Sequence, residues 1–121
     1  MKTKILVIED NEDNRRIVRD LLTNADYEVI EAVTGQEGVT AAETQGPELI
    51  LMDIQLPDFD GYEATRRIKA NPTLSAIPII AVTSYALSGD DVKAFEAGCD
   101  AYVTKPFSPR ELLAMIREYL Q

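Results

Sequence analysis

Histidine is absent from all 121 residues of the sequence. Its absence excludes zinc sites built on histidine, Ser-His and Cys-His nucleophile pairs, and phosphohistidine on this chain. Cysteine occurs once, at Cys99, which excludes an internal disulfide and fits a reducing compartment. We interpret Cys99 as a small buried apolar residue rather than a reactive thiol.

Long apolar runs and an excess of basic charge are also missing. Only four apolar residues, 5–8, precede Glu9 at the N-terminus, too few for a signal peptide or a membrane span. The 21 acidic and 12 basic residues give a net charge of −9, which repels nucleic-acid backbones and anionic membranes. We therefore expect a cytoplasmic protein that binds neither nucleic acid nor membrane, and a length of 121 residues predicts one domain.

Apolar runs and amphipathic segments alternate five times along the chain. The predicted strands cover residues 5–8, 27–32, 49–52, 79–82 and 101–104. The second strand alternates polar and apolar residues, which predicts an edge strand, whereas the third is apolar throughout. Residues that can cap a helix precede each predicted helix, at Asn11, Thr34, Asp60, Ser88 and Ser108. In the first helix the apolar residues 17, 18, 21 and 22 fall on one face. This alternation predicts an α/β fold, a parallel sheet with helices on both faces.

The residues at the carboxyl ends of the strands carry the chemistry. They are Glu9 and Asp10 after the first strand, Asp53 at the third, Thr83 at the fourth and Lys105 at the fifth. Open parallel sheets bind ligands outside these ends, and neighbouring strands lie about 4.8 Å apart. Three carboxylates so close together repel one another and require a cation. Oxygen ligands at few positions favour Mg²⁺.

A lysine and a hydroxyl beside Asp53 suit a transferred phosphoryl group. Lys105 supplies the opposite charge, and Thr83 supplies a hydrogen-bond donor. With a metal neutralising it, an Asp53 oxygen can act as a nucleophile and form an aspartyl phosphate. Each residue alone also has an ordinary structural explanation, such as an acidic residue at a helix N-terminus. One site explains all four strand ends at once.

Together with Pro57, Gly61, Tyr102 and Lys105-Pro106, this set resembles the receiver domain of two-component response regulators. The resemblance covers essentially all of residues 1–121. The stretch 52–57 is most similar to single-domain regulators of the cell-cycle type, and hybrid-kinase receivers are a close second. The resemblance implies a flavodoxin-like (βα)5 fold with strand order 2-1-3-4-5. It also implies that residues 1–121 form one receiver domain with no output domain.

The resemblance implies that Asp53 accepts a phosphoryl group from a phosphohistidine on a partner histidine kinase or histidine phosphotransferase. Asp10, Asp53 and the backbone carbonyl of Gln55 would hold Mg²⁺, or Mn²⁺ in its place, with Glu9 acting mostly through water. The chain would then be a phosphoacceptor rather than an enzyme, with self-catalysed phosphotransfer and slow autodephosphorylation. The absence of histidine agrees, because the donor must be another protein.

Further residues take roles by the same resemblance. Thr83 and Lys105 would bind the phosphoryl oxygens, and the Lys105–Pro106 bond would be cis. Thr83 and Tyr102 match the family's switch positions. Gln55 and Tyr85 would flank the water that hydrolyses the aspartyl phosphate, and the bulky phenol predicts a persistent phosphorylated state.

A binding surface is expected on the fourth helix, the fifth strand and the last helix. The apolar and aromatic residues expected there are Tyr85, Leu87, Tyr102 and Phe107, with Asp90, Asp91 and Lys93 among them. Exposed aromatic residues in a charged setting are typical of binding surfaces. We expect this surface to bind a downstream protein or a second copy of the chain, as a monomer or a phosphorylation-linked dimer.

Four other interpretations remain open. The chain can be a receiver fragment of a hybrid histidine kinase. A haloacid-dehalogenase-like, aspartate-dependent phosphatase requires a second aspartate where Gln55 stands. A flavin-binding flavodoxin-like domain requires a phosphate-binding loop after the first strand, where Glu9 and Asp10 would repel a phosphate. A purely structural interaction module does not explain the complete set of acidic, threonine and lysine positions.

Overall fold

The computed structural model describes residues 2–83 and 90–120, and in these ranges strands and helices alternate as the sequence predicts. The strands are β1 (Lys4–Ile8), β2 (Glu28–Ala32), β3 (Leu49–Asp53), β4 (Ile79–Thr83) and β5 (Ala101–Thr104). The helices are α1 (Glu12–Asn24), α2 (Gly35–Gln45), α3 (Gly61–Ala70), α4 (Asp90–Ala97) and α5 (Pro109–Leu120). All four strand pairs are parallel, in the order β2-β1-β3-β4-β5. The predicted flavodoxin-like order is confirmed.

The predicted caps determine where the helices begin. Asn11, Thr34, Asp60 and Ser108 each accept a hydrogen bond from the backbone N–H three residues later. Such a cap stabilises a helix by about 1 kcal/mol. The predicted cap at Ser88 lies outside the described residues. At the other end of α4, Gly98 has a φ of 112°, a left-handed conformation that favours glycine.

Helices cover both faces of the sheet, each over its own apolar layer. On one face Leu22 of α1 and Leu112 and Ile116 of α5 pack against inward residues of β1, β3 and β4. On the other face alanines of α2, α3 and α4 allow those helices to approach the sheet closely. Every residue of β3 is buried, whereas β2 alternates exposed and buried residues, as an edge strand does. Among the described residues, no helix is both long and apolar enough to cross a membrane.

Two apolar residues test the sequence interpretation in opposite directions. Cys99 is buried, and its Sγ lies 3.6 Å from Oγ1 of Thr65, so its interpretation as a core residue is confirmed. Ile17 was expected on the buried face of α1, yet it is 60% exposed. The reason is helical geometry, because residues 18 and 22 point to the sheet while residue 17 lies on the flank. There Ile17 lines an open groove of about 460 Å³ with Val18 and Phe107.

Candidate functional site

Three carboxylates meet where β1 and β3 end, at what we call the carboxyl edge of the sheet. Glu9 and Asp10 follow β1, and Asp53 is the last residue of β3, the neighbouring strand. One oxygen from each of the three lies within 4.8 Å of the others. Glu9 is 5% exposed and Asp53 is 7% exposed, whereas Asp10 is open to solvent. Three oxygens so arranged, with one side open, form a donor set suited to a hard divalent cation.

Lys105 is the cation of this cluster, and it pairs with Glu9. Its Nζ lies 2.5 Å from Oε1 of Glu9, and both side chains are largely buried. Oε2 of Glu9 accepts a further hydrogen bond from the N–H of Asn11 at 3.2 Å. Burial alone would raise the pKa of Glu9, but the hydrogen bond with Asp53 and the pairing with Lys105 outweigh burial and lower it. Of the two buried carboxylates, Glu9 therefore carries its negative charge more readily than Asp53.

Asp53 has the opposite electrostatic character. Burial, and after it the hydrogen bond and negative charge of Glu9, raise the pKa of Asp53 to about 7. Lys105 opposes this increase, as does the N–H of Gln55, which donates to Oδ1 of Asp53 at 3.2 Å. Burial and the neighbouring Glu9 thus both disfavour the ionised form of Asp53. A divalent cation at this place would favour that ionised form.

Thr83 and Lys105 lie beside Asp53 because of the order of the strands. β4 is the neighbour of β3, and Thr83, its last residue, is 3% exposed. The backbone carbonyl of Thr83 accepts a hydrogen bond of 2.7 Å from the N–H of Lys105, which fixes the start of the loop after β5. The Lys105–Pro106 bond is cis, as the resemblance implied. The structure thus brings together Glu9, Asp10, Asp53, Thr83 and Lys105, the five residues expected at the strand ends.

The loop between β3 and α3, residues 54–60, packs directly against Asp53. The N–H of Gly61 donates to the carbonyl of Ile54 at 2.8 Å. A Cβ at Gly61 would overlap the backbone carbonyl of Asp53, so this close approach requires glycine. Gln55, a predicted metal ligand through its carbonyl, lies in the same loop with an exposed side chain.

Two charged residues outside the carboxylate cluster support it, and no sequence pattern predicts either of them. Arg15 of α1 donates to the backbone carbonyl of Glu9 and to the carboxylate of Glu31, both at 3.0 Å. Asp58 accepts hydrogen bonds from the backbone of Gly35 and Gln36, more than twenty residues away. No spacing along the chain relates these partners, because the contacts exist only once α1 and α2 have packed on the sheet.

The predicted switch and binding surface are described in part. Tyr102 of β5 is half-buried and packs against the apolar layer under α4, opposite Ala81 of β4. Phe107 packs against the layer on the other face of the sheet. Tyr85 and Leu87 lie outside the described residues, as do the side chains of Asp90 and Asp91. Their predicted roles in hydrolysis and binding stay predictions.

Comparisons with known proteins point in one direction. The family model of the response regulator receiver domain matches residues 5–117. The polar-differentiation response regulator DivK of Brucella ovis is 41% identical over 120 residues, which cover 99% of this chain and 98% of that protein. The likeness therefore extends over nearly the whole length of both chains.

Solved structures show the same likeness in three dimensions. The receiver domain of the sensor histidine kinase PA1611 from Pseudomonas aeruginosa has a magnesium ion coordinated in its active-site cleft. It is 38% identical with a TM-score of 0.93, covering 99% of this chain and 98% of that one. A CheY-like receiver domain protein from Methanospirillum hungatei is 36% identical with a TM-score of 0.91, covering 99% and 94%.

Proposed function

The chain belongs to the family of response regulator receiver domains, and we propose that its Asp53 accepts a phosphoryl group from a phosphohistidine on a partner protein. Receiver domains are in general phosphoacceptors rather than enzymes, and we expect this one to catalyse only its own phosphorylation and slow dephosphorylation. The carrying observation is the burial of Asp53 at the end of the central strand, within 4.8 Å of two other carboxylates.

The transfer is a displacement at phosphorus. An unprotonated oxygen of Asp53 forms the new bond to phosphorus, and the bond from phosphorus to the donor's imidazole nitrogen breaks. The electron pair of that bond stays on the imidazole. Lys105 and Thr83 would bind the transferred oxygens, the lysine as a charge partner and the threonine as a donor. Lys105 would have to leave Glu9, its partner in the structure, to make that contact.

The donor set fits Mg²⁺. Asp10, Asp53 and the backbone carbonyl of Gln55 would hold the ion, with Glu9 acting through water. When bound, Mg²⁺ supplies the positive charge that the carboxylates need and that the phosphoryl oxygens share. Mn²⁺ prefers the same oxygen ligands, and we propose that it can substitute. The chemistry of the donor set supports this assignment, because one oxygen of each of Glu9, Asp10 and Asp53 lies within 4.8 Å of the others, where a hard cation would relieve their mutual repulsion.

A phosphohistidine donor has to approach at the carboxyl edge. The groove lined by Ile17, Val18 and Phe107 opens there and also borders Lys105. An exposed apolar surface next to the reactive residues suits contact with a histidine kinase or a histidine phosphotransferase. We place the protein in the cytoplasm, where such donors carry their phosphohistidine. A receiver role within a hybrid kinase is a second candidate, supported by the likeness to the PA1611 receiver.

The signal would leave through α4, β5 and α5. A phosphoryl group next to Thr83 would attract the threonine hydroxyl, and Tyr102 one strand away would move with it. On α4 the side chains of Val92 and Phe95 are 53% and 51% exposed, which adds apolar surface to this face. A downstream protein or a second copy of the chain would bind there.

Labelling with acetyl phosphate and Mg²⁺ tests the phosphoacceptor directly. We expect intact-mass analysis to show one phosphoryl group on the wild-type chain and none on Asp53→Asn, which lacks the nucleophilic carboxylate. Asp100→Asn is a matched control, because Asp100 lies at the other end of the strands. Undiminished labelling of Asp53→Asn would contradict the assignment.

A further inference from the structure

We propose that Asp58 is a positioning residue that ties the β3–α3 loop to the N-terminus of α2 and thereby sets the metal affinity of the site. Its Oδ1 accepts the N–H of Gly35 at 2.8 Å, and its Oδ2 accepts the N–H of Gln36 at 2.9 Å. Both carboxylate oxygens are thus used on one helix end. The inference rests on the proposed function, because it concerns the same metal and phosphoryl site.

The contact between Asp58 and α2 differs from an ordinary helix cap. Thr34 already caps α2 through the N–H of Glu37, at 3.0 Å. Asp58 takes the two remaining N–H groups of the first turn, and it reaches them from a different loop. Although desolvation raises the pKa of Asp58, the N–H groups of Gln36 and Gly35 outweigh it and hold that pKa below its usual range. The carboxylate therefore remains charged while it binds the helix.

A second contact fixes the same loop. The ring of Phe59 packs on Gly35, so closely that a Cβ at position 35 would lie 2.5 Å from Cε2 of the ring. The guanidinium of Arg67 on α3 lies over the ring, 4.0 Å from its centre. Asp58 and Phe59 are consecutive residues, so the middle of the loop is held against α2 by a charged contact and an apolar contact.

Near Asp53 the loop is held at its two ends. At the first end the N–H of Gln55 donates to Asp53 and the N–H of the buried Ile54 donates to the carbonyl of Val82, and at the other end the N–H of Gly61 donates to Ile54. Residues 54–57 connect Asp53 to Asp58. Gln55 lies between the anchored Ile54 and Asp58, so the position at which Asp58 is held influences the direction of the Gln55 carbonyl, the proposed metal ligand. Loss of an outer partner that orients a metal ligand typically weakens metal affinity by about 10- to 100-fold.

Because of this contact, hydrogen exchange at the start of α2 should depend on metal binding at the site. If Asp58 holds the loop for the metal, metal binding must in turn hold Asp58 on α2, because coupling between two equilibria is reciprocal. We expect Mg²⁺ to slow hydrogen exchange of the Gly35 and Gln36 amides in the wild-type chain. In Asp58→Ala the exchange of these two amides should not respond to Mg²⁺.

The test measures Mg²⁺ affinity by calorimetry and amide exchange by NMR in four forms of the full chain. These are the wild type, Asp58→Ala, Asp58→Asn and Thr34→Ala. We expect Asp58→Ala to raise the dissociation constant for Mg²⁺ about tenfold, the lower end of the range for outer partners of a metal site. Asp58→Asn retains one acceptor oxygen and should lie between Asp58→Ala and the wild type. Thr34→Ala removes a cap of the same helix without touching the loop, so its Mg²⁺ affinity should match the wild type.

Two results would overturn the proposal. One is an unchanged dissociation constant in both Asp58 variants, and the other is an equal increase in Thr34→Ala, which would reduce Asp58 to a cap of α2. If Asp58→Ala does not fold, Asp58→Asn decides by the same comparison. A wild-type chain that neither binds Mg²⁺ nor is labelled at Asp53 would overturn the proposed function together with this inference. If the wild type is labelled at Asp53 while Asp58→Asn and Asp58→Ala bind Mg²⁺ as tightly as the wild type, the inference alone is overturned.

Discussion

Two partly buried lysines at opposite ends of the strands show how differently this fold uses the same side chain. Lys69 lies where the strands begin, which we call the amino edge, and its ammonium group donates to the carbonyls of Ser75 and Ile77 and to Asp100. Its three protons each have an acceptor. Lys105 at the carboxyl edge has one acceptor among the described residues, an oxygen of Glu9.

The carboxylates at the two edges differ in the same way as the two lysines do. Oδ2 of Asp100 accepts from Lys69 and from the N–H of Ile79, the first residue of β4. At the carboxyl edge three carboxylates face one lysine, and the pKa of Asp53 is raised as a result of burial and Glu9. The amino edge is a completed network that fixes the structure. At the carboxyl edge acidic groups outnumber their basic partner, so a cation bound there would add stability that the free chain lacks.

The largest expected difference between the two edges lies in the rate of phosphorylation. Lys105→Met should slow labelling by acetyl phosphate about a hundredfold, because one charged group on the phosphoryl oxygens is lost. Lys69→Met should retain the labelling rate and instead lower the free energy of unfolding, because it removes the hydrogen bonds that the lysine donates to two carbonyls and to Asp100. Labelling rates and urea unfolding of both variants check this. Equal losses of rate would mean that the edges are not functionally distinct.

The same chemical change at the two edges should affect stability in different ways. In the absence of metal, Asp100→Asn should lower the free energy of unfolding by about 1–2 kcal/mol, because it weakens hydrogen bonds made to a charged acceptor. Asp53→Asn should leave that free energy unchanged or raise it, because it removes one of three repelling carboxylates. Urea unfolding with a chelator present measures both. A loss in Asp53→Asn as large as in Asp100→Asn would contradict the picture of an uncompensated site.

The sequence predicted the carboxyl edge more completely than the amino edge, and the reason is topological. Every parallel strand ends at the same edge, so Glu9, Asp53 and Lys105 could be placed together from the predicted parallel sheet, while the strand order itself came from the family resemblance. Lys69 and Asp100 lie on a helix and a turn, and their contact depends on how α3 packs. Hydrophobic patterns predicted the strands and helices, and capping residues predicted where helices begin, because both depend on residues that are close together in the sequence.

Contacts between elements could not be predicted from the sequence, because they too depend on how the elements pack. Asp58 follows Pro57 in a polar turn, and nothing in that pattern distinguishes an exposed aspartate from one that binds α2. The exposure of Ile17 depends on which flank of α1 meets the sheet. Lys105 pairs with Glu9 rather than with Asp53, and this choice depends on burial and charge in three dimensions, which the sequence does not contain.

A smaller effect should appear in the pH dependence of stability. The pKa of Asp53 rises from its ordinary 3.8 to about 7 in the folded chain, so between these pH values the folded chain holds a proton that the unfolded chain has lost. Without metal, this group therefore contributes stability below about pH 4 that is lost as pH rises to about 7. The free energies of unfolding of the wild type and of Asp53→Asn, plotted against pH, should therefore diverge over that range. An equal dependence on pH in both proteins would contradict the raised pKa.

The lifetime of the phosphorylated state should respond to positions 55 and 85 and not to residues of the amino edge. By resemblance, Gln55 and Tyr85 flank the hydrolytic water, and a phenol there blocks its approach without orienting it as a carboxylate would. We expect a lifetime longer than that of chemotaxis-type regulators, with faster phosphate release in Tyr85→Ala and Gln55→Asn. Tyr119→Ala is the matched control, since the Tyr119 hydroxyl donates to Asp100 at the amino edge. Unchanged release in both site variants would refute the idea.

The subtlest difference should appear in amide exchange when beryllofluoride and Mg²⁺ are added as a mimic of the phosphorylated state. A charge-assisted bond from Thr83 to the bound group would move the end of β4, and Tyr102 on β5 would follow, since it packs against the same apolar layer. Protection should therefore change from Thr83 to Phe107. The amide of Ile79 is the internal control, because its bond to Asp100 belongs to the completed network. Changes confined to the loop after Asp53, with none beyond Thr83, would show that the phosphoryl site does not act on this face.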